Sequence, residues 1–245
     1  MESQAPRIEI RPTPQDVAYA AADHVVSRFR AALQFRETFT LGLAGGSTPK
    51  ALYELLAGDE FRRRIEWARV EVFFGDERCV PPDHADSNFK MAKEALLDHV
   101  PIPGDNVYRM KGELDAESAA VEYGRMLKDR FGNDGLDLLL VGMGDDGHTL
   151  SLFPGTSALD EREHRCVANY VEKLDAWRIT LTAPFANRSD QVLALITGDK
   201  KSAAVARLLE GDFDPRQTPI QLIRPGDGHS TLLLDAAAAG MHEED

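Results

Sequence analysis

Four times along this chain an apolar run of strand length stops and a glycine-rich or charged motif begins at once. Gly45-Gly46-Ser47-Thr48 follows FTLGLA, Gly75-Asp76-Glu77-Arg78 follows VEVFF, residues 142–148 follow LDLLLV, and residues 198–201 follow QVLALIT. The runs at 39–44, 70–74, 136–141 and 191–197 are almost wholly apolar, the pattern of strands buried on both faces. Residues 178–182 (RITLT) alternate and predict a half-exposed strand, and 219–223 and 231–234 are shorter strand candidates. Helical periods fill the gaps. Thr13-Pro14 caps a pattern running to about Phe35, and Thr48-Pro49 repeats the device before KALYELLAG. Ser87 and Asp115 read as N-caps of two further helices, and 200–209 reads as another. Strand-then-helix alternation predicts a mostly parallel α/β sheet with helices on both faces. In such sheets ligands bind at the carboxyl ends of the strands. The four motifs, far apart in the chain, are therefore expected to meet at one rim.

A length of 245 residues suits one domain spanning 1–245 better than two small ones. Hydrophobic residues at 43% supply a sizeable core. The start, MESQAPRIEI, lacks the basic and apolar regions of a secretory signal, and no apolar run approaches bilayer length. Cys79 and Cys166 form no metal-binding spacing and read as reduced thiols, so a cytoplasmic location is expected. The net charge of −13 argues against nucleic acid and anionic lipid as partners. An anionic small molecule can bind only where basic groups and backbone N–H groups are focused.

Each motif has a bland and a functional reading. In LAGGSTPKALYELL two glycines permit close backbone approach, and the helix that follows offers free N–H groups to a phosphate; an ordinary strand-to-helix turn is an equal reading. Arg78 of GDERCVP is placed to hold a carboxyl, a phosphate or a developing oxyanion, whereas an isolated DER is more often a surface ion pair. GMGDDGHTLSLFPG is the most informative stretch. Its glycines suit a tight loop that presents His148, the best general-base candidate, with Asp145 or Asp146 to orient it. A calcium loop is a poor fit, since the DxDxDG pattern is missing. Arg178 and Lys201 add positive charge, while Lys200 reads as solvated. His24 and His99 read as helix-surface residues. Neither a GxSxG elbow nor an HExxH zinc motif is present, so an activated water is the simplest nucleophile. Neither a metal nor a cofactor is expected.

LAGGSTP, FFGDERCVP with a following SN, GMGDDGHTLSLFPG, RITLT and TGDKKSA occur in the order found in the 6-phosphogluconolactonase family, which this chain resembles from about residue 10 to about 240. The glucosamine-6-phosphate deaminases are similar at greater distance, with DEY in place of DER and an IAFNEP-like segment after DGH. Leu150 stands where the lactonases usually carry a small alanine, which implies a packing adjustment and unchanged chemistry. The C-terminal GDGHSTLLLDAAAAG is a looser version of the family's ending.

The resemblance implies a three-layer α/β/α sandwich with a modified Rossmann-like sheet. It implies hydrolysis of a phosphosugar lactone, 6-phospho-D-glucono-1,5-lactone, in the oxidative pentose phosphate pathway. His148 falls on the catalytic histidine, and phosphate and sugar contacts fall on Gly45, Gly46, Ser47, Thr48, Arg78, Arg178 and Lys201. Asp146 is expected to shape the loop and tune His148, and Arg78 or a backbone N–H of residues 142–148 to stabilise the oxyanion. The expected assembly is a monomer or small homo-oligomer. An amino-sugar phosphate isomerase or deaminase is the alternative, opposed by Arg78 and the SLFPG tail. A non-catalytic phosphosugar sensor comes third, because residues 1–38 hold no helix-turn-helix pair.

Overall fold

The computed structural model describes residues 5–225 and 229–241; Gly226, Asp227 and Gly228 of the C-terminal GDGH segment, and His242, lie outside that set. Six strands form one sheet in the order β1-β9-β8-β5-β2-β3, and every pairing in it is parallel. They are β1 (Arg7–Arg11), β2 (Phe39–Leu43), β3 (Val70–Phe74), β5 (Leu138–Gly142), β8 (Gln191–Ile196) and β9 (His229–Asp235). A second, antiparallel sheet has the order β4-β7-β6, from β4 (Asp76–Arg78), β6 (Cys166–Val171) and β7 (Ala176–Leu181). The helices are α1 (Pro14–Ala32), α2 (Ser47–Ala57), α3 (Asp59–Arg62), α4 (Asn88–Ala95), α5 (Ala116–Phe131), α6 (Ala183–Ala186) and α7 (Ser202–Glu210).

The near-continuous apolar runs behave as their composition requires. Every residue of β2, β3 and β8 is buried, which demands cover on both faces. Adjacent residues of β3 show that cover, because successive side chains point to opposite faces. Phe73 meets Phe131 of α5 edge-on at 5.1 Å, while Phe74 meets Phe89 of α4 at 5.9 Å. On the α4 side lies α2, and α1 packs against α2. The α/β expectation with helices on both faces therefore holds.

Three strands carry no apolar run. β1 reads RIEIR, β4 reads DER and β6 reads CVANYV. All three lie at sheet edges, as does the wholly buried β3, so edge position alone does not set the pattern; none of the three is buried along its whole length. The strand expected at 219–223 is instead a 3-10 turn, Pro219–Leu222. Pro219 has no N–H to give a ladder. The Gln221 and Ile223 amides bond locally to Thr218 and Ile220, and the Ile220 N–H donates to the Gly147 carbonyl at 3.1 Å. This turn thus supports the 142–148 loop. RITLT is also reassigned in place, from a strand of the parallel sheet to the middle strand of the small one.

At the other end of the parallel sheet, Asp137 fixes the start of β5 beside β2. Its carboxylate, 1% exposed, accepts from the Thr40 N–H and hydroxyl at 2.7 Å each and pairs with Arg36. That bracket sets the register that brings the two strand ends, Leu43 and Gly142, to the same rim.

Candidate active site

The rim holds a cavity of about 370 Å³, lined among others by Gly45, Gly46, Asp76, Arg78, Gly142, Gly144, His148, Lys173, Arg178 and Lys201. The four motifs do converge. A second cavity of about 260 Å³, between β8, β9 and the 219–222 turn, is lined mainly by aliphatic residues such as Val141, Val192 and Leu208. Arg224 is the one charged group among its described lining residues, so it offers no acid–base pair.

His148 sits at the end of a loop shaped around it. Asp146 Oδ1 lies 2.6 Å from its ring Nδ1 and accepts from its backbone N–H at 3.1 Å. Burial works to raise the Asp146 carboxyl, but hydrogen bonds from His148 and Lys173 outweigh it and hold it well below the usual carboxylate range. An ionised carboxylate only accepts, so Nδ1 carries a proton, and in the neutral ring the lone pair falls on Nε2. The ring stacks on Phe153 at 4.1 Å with an interplanar angle of 22°. Gly144 makes this packing possible: a Cβ there would lie 2.1 Å from His148 Nδ1 and 2.6 Å from Asp146 Oδ1. Gly147, with φ of 81°, closes the turn against Thr218.

The amides of Gly144, Gly147 and His148 are bonded inside the loop, to His148 O, Gly144 O and Asp146. They are therefore committed, and Arg78 is one of the cationic donors in the same cavity wall. Asp145 is exposed, and its carbonyl accepts from Arg207.

Arg178 reaches the cavity by a route the sequence does not suggest. It is not at a strand end of the parallel sheet; it lies inside β7, directly opposite Arg78 of β4. Like charges opposed across an antiparallel ladder repel. Burial first, and Arg78 second, pull the Arg178 guanidinium below its ordinary value. Two guanidiniums with no carboxylate within salt-bridge distance among the described residues line one cavity, a focus of positive charge in a chain of net charge −13. Lys201 adds a third cation from the segment after β8, while Lys200 is exposed.

The glycine loop is only partly as expected. Gly46, with φ of 105°, is the N-cap of α2, and Ser47, Thr48 and Pro49 form its first turn, so Thr48 is not the cap. The left-handed turn out of β2 suits glycine alone, and it displaces the cap by two residues. No side chain caps this end, leaving the Ser47 and Thr48 amides as the outward donors. Their side chains line a neighbouring cleft, where Thr48 Oγ1 bonds Thr197 Oγ1 at 2.6 Å.

Asp76, Asn88, Ser151, Phe153 and Lys173 also belong to this site. Asp76 accepts from Ser151 Oγ at 2.6 Å and from Asn88 Nδ2 at 3.2 Å, and Gly45 lies so close to Asn88 that a Cβ would fall 2.0 Å from Oδ1. Glu77, buried, accepts from the amides of Arg78, Asn88 and Phe89 and from Ser87 Oγ, which ties α4 to β4. Burial raises its carboxyl against the pull of these bonds. The SN after DERCVP marks the Ser87–Asn88 part in the sequence; Lys173, in an EKLD turn, gives no such signal. Leu150 has φ of 53° and leans over Gly75, where a Cβ would lie 2.7 Å from its Cδ2. His24, on α1, pairs with Glu9, and His229 opens β9 at the far end of the sheet.

Among the described residues no cluster of three or more His, Cys, Asp or Glu side chains is arranged to hold a metal ion, and no helix is long and apolar enough to cross a membrane.

Residues 12–232 match the family described as glucosamine-6-phosphate isomerases/6-phosphogluconolactonase. A 6-phosphogluconolactonase of Nostoc sp. is 37% identical over 238 residues, covering 94% of this chain and 96% of its own. The Homo sapiens 6-phosphogluconolactonase is 38% identical over 239 residues, covering 95% and 92%. The solved structure of 6-phosphogluconolactonase from Trypanosoma cruzi superposes with a TM-score of 0.87 at 28% identity over the full length of both chains. A monomeric glucosamine-6-phosphate deaminase shares the fold, with a TM-score of 0.81 at 21% identity over 96% of this chain and all of its own. With the rim cavity, its histidine loop and its paired arginines in place, these likenesses show that the chain belongs to the 6-phosphogluconolactonase and glucosamine-6-phosphate isomerase family.

Proposed function

We propose that this protein hydrolyses 6-phospho-D-glucono-1,5-lactone to 6-phospho-D-gluconate, with His148 as general base. The observation that carries the reading is one cavity holding a carboxylate-oriented histidine with a free Nε2 beside three cations, Arg78, Arg178 and Lys201. The lactone's 6-phosphate takes the negative charge that Arg178 and Lys201 lack, with the amides at the start of α2 adding donors. Nε2 of His148 removes a proton from a water as its oxygen attacks C1. The carbonyl oxygen becomes an oxyanion, stabilised by Arg78. The intermediate collapses by breaking the bond from C1 to the ring oxygen, which takes the proton back from His148. Asp146 holds the ring tautomer and offsets the charge of the transient imidazolium. The demand is modest, because lactones open in water unaided, and positioning with general-base help of about 10²–10⁴-fold meets it.

The deciding experiment compares two substrates. The protein is expected to accelerate acid release from freshly made 6-phosphogluconolactone well above the spontaneous rate and to release no ammonia from glucosamine 6-phosphate. Ammonia release without lactone hydrolysis would transfer the site to the deaminase branch.

A further inference from the structure

Lys173 touches both supports of His148. Its ammonium pairs with Asp146 Oδ2, whose other oxygen holds the imidazole, and it lies 5.3 Å from the centroid of the Phe153 ring on which that imidazole stacks. It reaches them from outside the histidine loop, from the short connection between β6 and β7. That connection is held by contacts of its own. Tyr170 and Trp177 pair across it with ring centroids 5.4 Å apart, Tyr170 OH donates to Asp175, and Asp175 takes the left-handed conformation that closes the turn. Leu174, next to Lys173, joins it in the cavity wall.

We infer that Lys173 is a positioning residue for His148, acting through Asp146. The inference rests on the reading of His148 as the base, and its physical content is a charge balance. Asp146 alone favours the protonated imidazole, in which Nε2 has no lone pair and the base is lost. The ammonium beside Asp146 opposes that second positive charge and keeps the ring neutral, while Asp146 still fixes its tautomer. The gain is not one of stability: the Lys173 side chain is 53% exposed, and exposed ion pairs add little to folding. Other charged groups line the same cavity, Asp76 and Arg78 from β4, Arg178 from β7 and Lys201 after β8, and the exposed Asp145 of the loop accepts from Arg207 of α7 through its carbonyl. All of them are unchanged when Lys173 alone is replaced.

The test is a histidine titration by NMR on the full chain, paired with the pH dependence of kcat/KM. The His148 resonance is identified by its loss in His148→Ala. In Lys173→Met the imidazole is expected to titrate about 0.5–1 unit higher than in wild type, the scale of one charge removed at this range in a partly solvated site. The acid limb of kcat/KM is expected to move up with it, while Lys173→Arg stays at the wild-type position. In an Asp146→Asn background, Lys173→Met is expected to shift the ring far less, because the intermediary is gone. An unmoved His148 titration in Lys173→Met would overturn the inference. So would a raised KM with an unmoved titration, which would make Lys173 a direct substrate contact. The NMR reading stands apart from catalysis, so a chain inactive on the lactone would sink the proposed reaction without deciding this coupling.

Discussion

Gly144→Ala is a sharp probe of the histidine loop, because the added methyl has one place to go. Its φ is not in the left-handed region, so alanine fits the backbone. The Cβ, however, would sit 2.1 Å from His148 Nδ1, 2.3 Å from Cε1 and 2.6 Å from Asp146 Oδ1, where ordinary contact begins at 3.4 Å. The imidazole must retreat by about an ångström, and it cannot retreat freely, because Phe153 lies against its face. A displacement of that size at a reacting group costs on the order of 10²-fold in rate. Overpacking by one methyl adds a destabilisation of about 1–3 kcal/mol. The assay is kcat for 6-phosphogluconolactone hydrolysis, with thermal unfolding and 6-phosphogluconate binding measured on the same preparation. Gly104→Ala is the control, since a Cβ there meets nothing within 4 Å. The expected result is a large loss of kcat with product binding close to wild type. Wild-type kcat in a folded Gly144→Ala protein would refute the claim that this packing sets the base.

Three further outcomes are expected. His148→Ala should lower kcat about 10²–10⁴-fold while leaving 6-phosphogluconate affinity nearly intact, as measured by steady-state kinetics and calorimetry; an unchanged kcat would remove the histidine from the reaction. Arg178→Met and Lys201→Met should each weaken 6-phosphogluconate binding about ten- to a hundredfold, and Arg178→Met should not lower the melting temperature of the free protein, because it relieves the repulsion from Arg78. Glu113, paired with Arg109 through two bonds, is held down to about 2 from an ordinary 4.5, so its contribution to stability is present above about pH 4.5 and fades as pH falls toward 2; Glu113→Gln should flatten that part of the acid-unfolding curve, and an unaltered slope would discount the pair.

The fully buried strands and the rim were legible in the sequence, because a strand buried on both faces has to be apolar throughout and its end has to change character where the chain meets solvent and ligand. That is why 39–44, 70–74 and 191–197 announce β2, β3 and β8, and why the motifs behind them meet. His148 and its Asp146 were legible for a local reason: two residues in one glycine-rich loop are neighbours whatever the rest of the chain does. β1, β4 and β6 left no such mark, since none of them is buried along its whole length and none therefore needs an apolar run. The facing of Arg78 and Arg178, a hundred positions apart, was decided by the register of β4 against β7. The approach of Lys173 to Asp146 was likewise decided by where the β6–β7 connection crosses the histidine loop. Periodicity reports which face of an element is buried; the distance between two charged groups on different elements is set by how those elements dock, and only the folded chain fixes that.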